Sequence, residues 1–201
     1  MAERQATLRE ILAGLGKLRQ QADAAFARVA AEHPGAVACR PGCTDCCHAL
    51  FDLTPIEALA LALAFKELPR QERREARRRA QRAAAVFDQV LAQAMARQGE
   101  ERLEALSRAR VACPLLQGAR CLLYEHRPLT CRLYGIPVAI NGRSRICHLS
   151  RFAPGETYST ADMTLVQNQL ERLSGLALNL IPGLGRARRD VARALEFTFQ
   201  D

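Results

Sequence analysis

The chain has 201 residues, 49% of them hydrophobic and 25% charged, the balance of a globular protein with enough length for one real core. Aromatics make up 5% and tryptophan is absent, so the core must come from Leu, Ala, Val and Ile, which favours packed helices over sheets. The net charge of +8 is nearly all arginine, with Lys17 and Lys66 the only lysines. Such a balance suits an acidic partner but is also ordinary solubility charge, and decides nothing alone. The longest apolar run, 58–65, is too short to cross a bilayer. Residues 1–17 carry Glu3, Arg4, Arg9 and Glu10, which argues against a signal peptide. The expectation is a cytoplasmic protein with no membrane association.

Leu8, Ile11, Leu12, Leu15, Leu18, Ala22, Ala25, Phe26 and Val29 recur at three- and four-residue steps and predict an amphipathic helix over 5–32. His33-Pro34-Gly35 stops it, and a cysteine loop follows over 37–48. Thr54-Pro55-Ile56-Glu57 reads as a helix start: Thr54 caps, Pro55 takes the first helical position and Glu57 completes a capping box. That helix runs to about 68. Pro69 opens an arginine-rich helix reaching about 97, Gly99 breaks it, and a short helix covers 100–109. From 111 to 152 the helical period is lost among prolines, glycines and cysteines. Asn141-Gly142 between two short runs predicts a β-hairpin there. Helix returns over 159–180, Pro182-Gly183 turns the chain, and a last helix spans 186–197. The fold class expected is mainly α, one domain over 1–201, with helices packed around an irregular, metal-stapled α+β centre carrying one short hairpin.

Eight cysteines dominate that centre. The first group is Cys39-Arg-Pro-Gly-Cys43-Thr-Asp-Cys46-Cys47; the second, Cys113, Cys121, Cys131 and Cys147, spreads through the irregular region. In a reducing cytosol such a set points to metal binding rather than structural disulfides. Thiolates bind soft or borderline metals, and short spacings let one loop present several sulfurs to one centre. A bound metal would also stabilise a segment with few apolar residues. Buried thiols packed as small hydrophobes are the bland alternative, disfavoured by this clustering.

Structural zinc usually shows two Cys-x-x-Cys knuckles, and only the first group has close pairs. Three near cysteines with remote partners, and Pro114 directly after Cys113, lean towards an iron–sulfur cluster. Cys39-x-x-x-Cys43-x-x-Cys46 also matches the triad of radical S-adenosylmethionine enzymes, but the alternating strands and helices those enzymes need do not follow. Neighbouring side chains in an extended loop point to opposite sides, so Cys46 and Cys47 could serve different centres, or one could be a redox thiol. Eight cysteines could form two four-sulfur sites, or one site with spare thiols.

These motifs resemble the YkgJ-like cysteine-cluster family, a zinc- or iron-chelating domain of CxxCxxCC type. The resemblance rests on the first cluster, ending in Cys46-Cys47. It rests also on Cys113-Pro114-Leu115-Leu116, on Cys121-Leu122-Leu123-Tyr124-Glu125-His126-Arg127-Pro128-Leu129-Thr130-Cys131-Arg132, and on Cys147. It covers about 37–150. Here three residues separate Cys39 from Cys43, where the family name implies two. What the resemblance implies is chelation by the cysteines, with no defined reaction.

Arg127 and Arg132, beside Cys131, would offset the negative charge of a thiolate centre or hold a carboxylate such as Glu125. His48 and His148 follow cysteines and suit hydrogen bonding to the centre better than ligation, while His33 and His126 have less claim. Arg70, Arg73, Arg74, Arg77, Arg78, Arg79 and Arg82 load one helix. Glu72 and Glu75 interrupt them, and Glu75 has the favourable offset to Arg79, so a solvated face is expected rather than a nucleic-acid site. Gly14-Leu15-Gly16 falls mid-helix, and no catalytic acid, base or nucleophile stands out.

The reading is therefore a metal-binding protein whose cysteines hold an iron–sulfur cluster or zinc. The alternatives are an iron–sulfur oxidoreductase or modifying enzyme, a thiol-redox protein, and an arginine-rich binding module with a structural metal.

Overall fold

The computed structural model describes residues 2–197; Met1 and 198–201, which the 1–201 span includes, lie outside the described residues. The described chain is 59% helical, with seven α-helices and two short sheets. In order these are α1 (Ala2–Glu32), α2 (Pro55–Lys66), α3 (Arg70–Met95), α4 (Gly99–Arg108), β1 (Leu116–Gln117), β2 (Arg120–Cys121) and α5 (Leu129–Leu133). There follow β3 (Val138–Ile140), β4 (Arg143–Arg145), β5 (Ala161–Asp162), α6 (Met163–Leu180) and α7 (Val191–Leu195). The chain forms two compact units, interleaved in sequence. One takes the residues up to Cys43 together with Arg127–Gly185; the other takes Thr44–His126 and the residues from Arg186 onward.

In the first unit α1 packs on α5 and α6. Its buried residues Ile11, Leu15, Leu18, Ala22 and Val29 follow the three-to-four step of one helix face. Gly14 leaves room for Leu173 of α6: a Cβ there would lie 3.0 Å from a Leu173 methyl. Asn141, at φ 49°, and Gly142, at φ 74°, turn β3 into β4 with Val138 opposite Arg145, as the Asn-Gly pair predicts. The sequence analysis expected one hairpin and foresaw neither a second, β1–β2 in the other unit, nor the third strand here, β5, which pairs parallel with β3. Helix α6 starts at 163 instead of 159 because Ala161 and Asp162 are committed to that pairing. The Asp162 carboxylate then accepts the Thr164 and Leu165 amides at 2.8 and 3.2 Å.

In the second unit α2 is buried almost all round, through Ile56, Ala58, Leu59, Leu61 and Phe65. Its start is the predicted one: the Thr54 amide and hydroxyl both donate to the Glu57 carboxylate, at 3.3 and 3.1 Å. Helix α7 packs on α2 and α3 and is shorter than expected. Leu53 and Arg189 exchange backbone hydrogen bonds at 2.8 and 3.2 Å, which keeps Arg189 out of the helix, and Asp190 caps the helix by accepting the Arg193 amide at 3.1 Å. The core gathers Leu53, Leu61, Phe65, Leu115, Leu123 and Leu195, with Cys113 and Cys121 packed against it.

Candidate metal centres

Cys46 and Cys47 lie together in a single 3-10 turn, Asp45–Cys47. The turn closes because the Cys47 amide donates to the Thr44 carbonyl at 2.9 Å and the His48 amide to the Asp45 carbonyl at 3.0 Å. An extended loop would send adjacent side chains to opposite sides. A turn of this kind separates them by only about 120°, so the two thiols share one neighbourhood. The His48 ring Nδ1 lies 3.0 Å from the Thr44 carbonyl oxygen, which fastens the ring to the same turn.

The other two thiols of this unit come from the segment leading into the β1–β2 hairpin and from its end. Val111 donates to His48 at 3.0 Å and Cys113 to Cys47 at 2.7 Å, while Ala49 and Arg110 form an antiparallel bridge. These bonds lay the 110–113 backbone along the turn. Leu116 then pairs with Cys121 across the hairpin, and the Leu116 amide donates to the Cys113 carbonyl at 3.0 Å. From α3, Arg79 Nε donates to the Pro114 carbonyl at 2.8 Å and braces the residue after Cys113.

Cys46, Cys47, Cys113 and Cys121 act on one another. The Cys47 thiol is pushed far up by its hydrogen bond with Cys46, by burial, and by negative charge at Cys46, Cys113 and Cys121. Burial pushes Cys113 up to about 12, with charge at Cys121 and Cys46 adding to it. Ionising one of these thiols therefore opposes ionising the rest, and a bound cation reverses that sign. Four thiolates are the donor set of structural zinc and of common iron–sulfur clusters, so the residues present fit such a group.

The remaining cysteines, Cys39, Cys43, Cys131 and Cys147, fall in the other unit. The Cys43 amide donates to the Arg40 carbonyl at 2.9 Å, and Gly42 turns at φ 87°, which absorbs the extra residue after Cys39. Cys39 Sγ donates to the Tyr134 carbonyl at 3.3 Å, just past α5, the helix that carries Cys131. Gly135, at φ 101°, is needed there: a Cβ would lie 2.4 Å from Cys39 Sγ. The Ser150 amide donates to the Cys147 carbonyl at 2.9 Å. The Ser150 hydroxyl donates to the Gly135 carbonyl at 2.7 Å. Arg151 donates to Ala36 at 2.8 Å, next to the first cysteine segment. The connection after α5 thus gathers the Cys39, Cys131 and Cys147 segments.

Cys39, Cys43 and Cys46, contiguous in sequence, are divided between the units. Arg127 and Arg132 meet Asp23 of α1: Arg127 Nη2 lies 3.6 Å from its carboxylate, and buried Arg132 makes a closer pair with it. His33 packs edge-on against Phe152 and Tyr158 in an aromatic cluster, and His148 is exposed. The sequence analysis missed Gly135 and Arg79; a glycine between Tyr134 and Ile136-Pro137 was the one available sign of a tight approach.

A family model, CxxCxxCC, described as "Putative zinc- or iron-chelating domain", matches residues 38–153, more than half of the chain. The chain belongs to the CxxCxxCC family. The matched span holds all eight cysteines and joins the cysteine segments of both units. Zinc or iron is the metal of this domain class. Neither the curated proteins nor the solved structures contain a significant match to the chain. Among the described residues no helix is long and apolar enough to cross a membrane.

Proposed function

We propose that this CxxCxxCC protein chelates zinc or iron at two four-cysteine centres. Cys46, Cys47, Cys113 and Cys121 would hold one, and Cys39, Cys43, Cys131 and Cys147 the other. The observation that carries the reading is the partition of the eight cysteines, four to each compact unit. Each set is two pairs brought from two separate stretches of chain, the arrangement by which four thiolates enclose one tetrahedral ion or one cluster. Zinc would supply folding free energy to segments short of apolar residues; an iron–sulfur cluster would supply one-electron transfer. A reducing compartment such as the cytoplasm suits either, since it keeps the thiols available as ligands.

The test is elemental analysis with a visible spectrum on protein purified without oxygen. Two equivalents of zinc and no colour, or iron with sulfide and a brown colour, are the outcomes expected. A single equivalent that survives Cys46→Ser/Cys47→Ser and is lost in Cys131→Ser would remove the first centre. No metal, with eight titratable thiols, would sink the reading.

A further inference from the structure

The metal centres leave the arginines of α3 other than Arg79 without a task. Helix α3 carries seven arginines against three carboxylates, Glu72, Glu75 and Asp88, an excess of four positive charges. Asp88 is bound by Arg193 of α7, at 2.6 and 2.8 Å. Glu75 accepts from two neutral amides, Gln71 at 3.1 Å and Gln117 at 3.4 Å, so the expected pair with Arg79 does not form, and Arg79 turns instead to Pro114. Arg70, Arg74, Arg78 and Arg82 are exposed and, among the described residues, make no ion pair. They stand four residues apart and form one row. At a rise of 1.5 Å per residue the row is about 18 Å long, with a positive charge roughly every 6 Å. Arg77, also exposed, adjoins it above the Phe65 ring, 5.5 Å from the centroid.

We infer that this face of α3 binds the phosphate backbone of double-stranded nucleic acid, without reading its sequence. Arginine in an exposed row that winds gently along a helix is suited to contacting successive phosphates. Base recognition on single strands needs aromatic platforms, and here both nearby rings are taken: Phe65 is buried under Arg77, and Phe87 lies beneath Arg193 at 5.9 Å. A membrane-surface helix needs a broad apolar side next to its charges. This row is flanked by exposed Gln81 and Ala85, with Val86 as the one large aliphatic residue at its end.

The experiment is fluorescence anisotropy of a labelled 20-base-pair duplex of random sequence against the full metal-loaded chain, over a salt series. Binding at 50 mM salt is expected, with log K falling against log salt at a slope of about −4.5 for five phosphate contacts. Arg74→Gln/Arg78→Gln/Arg82→Gln should weaken binding at least tenfold and lower the slope by about 3. The control Arg143→Gln/Arg145→Gln/Arg172→Gln removes as much charge elsewhere and should leave binding unchanged. Circular dichroism and metal content show whether each variant is folded, and Arg78→Glu alone serves as a second probe. Four results would each overturn the inference: no binding at 50 mM salt, equal loss in the control, equal or tighter binding to polyglutamate, or binding to phosphatidylserine vesicles without binding to the duplex. None of these depends on which metal the cysteines hold.

Discussion

The Cys113 amide donates a 2.7 Å hydrogen bond to the Cys47 carbonyl, so backbone geometry joins two cysteines from distant parts of the chain. The bond, with the Val111–His48 bond beside it, sets the two thiol-bearing segments side by side through the main chain. Ligand removal at this centre should therefore act on the metal before it acts on the local fold. Cys121→Ser is expected to lower the metal content from two equivalents to one, Cys131→Ser to do the same at the other centre, and the double variant to abolish it. Plasma emission analysis beside far-ultraviolet circular dichroism checks the result.

The thiol chemistry gives a pH dependence with a definite sign. Burial raises Cys113 from its ordinary 9.0 to about 12. Below pH 9 the thiol is neutral in folded and unfolded chains alike, and its contribution to stability is fully present. Between pH 9 and 12 the unfolded chain ionises while the folded chain does not, so that stability is lost. Metal-stripped protein should therefore melt at progressively lower temperature from pH 9 upward under reducing conditions. Cys113→Ala should flatten that decline, measured by thermal denaturation across the range.

Gly135→Ala tests the close approach to Cys39. The alanine Cβ would lie 2.4 Å from Cys39 Sγ, at a backbone φ of 101° that side chains rarely adopt. The left-handed backbone alone costs about 1–2 kcal/mol, and displacement of the sulfur adds to it. Loss of at least about 2 kcal/mol is expected in urea denaturation, together with weaker metal retention at Cys39, Cys43, Cys131 and Cys147 and unchanged retention at the other set. Equal retention at both sets in competition with a chelator would contradict this.

Arg132 holds Asp23 from a buried position and also donates from Nε to the Arg127 carbonyl at 3.1 Å. Removing it leaves a carboxylate and a carbonyl short of a donor. Breaking a buried pair costs about 3–5 kcal/mol and an exposed one about 0–1 kcal/mol; Asp23 is half-exposed and keeps Arg127 nearby, so Arg132→Ala should cost about 2 kcal/mol. Arg127→Ala, whose contact is longer at 3.6 Å, should cost less. The order of the two midpoints in urea is the measurement.

Much of the fold was legible because its signals are local. The 3.6-residue period of Ile11, Leu15, Leu18 and Ala22 depends only on helix geometry. Thr54 and Glu57 are three residues apart, and their capping bonds close within one turn. Asn141-Gly142 reverses the chain because its own backbone can take positive φ. Apart from the short β1–β2 hairpin, the less legible elements are those made by long-range closure. Strand β5 exists because Val138 pairs with Ala161, and α7 begins at Val191 because Leu53 bonds to Arg189.

The cysteines show the same division. Their number, their clustering and their Cys-Pro and Arg-Pro-x-x-Cys contexts determined, from sequence alone, that the chain carries a thiolate donor set and which family it resembles. Only the tertiary structure decided that Cys46 and Cys47 share a turn, and that the innermost four cysteines belong to one compact unit and the outermost four to the other. The reason is physical: a thiol's identity as a soft donor is carried by the residue itself, whereas its neighbours depend on a few backbone bonds between distant segments, such as Cys113 to Cys47. No spacing rule encodes those bonds. The arginines of α3 follow suit, since their charge was visible in the sequence, but that Glu75 would turn to Gln71 and Gln117 rather than to Arg79 was settled by packing.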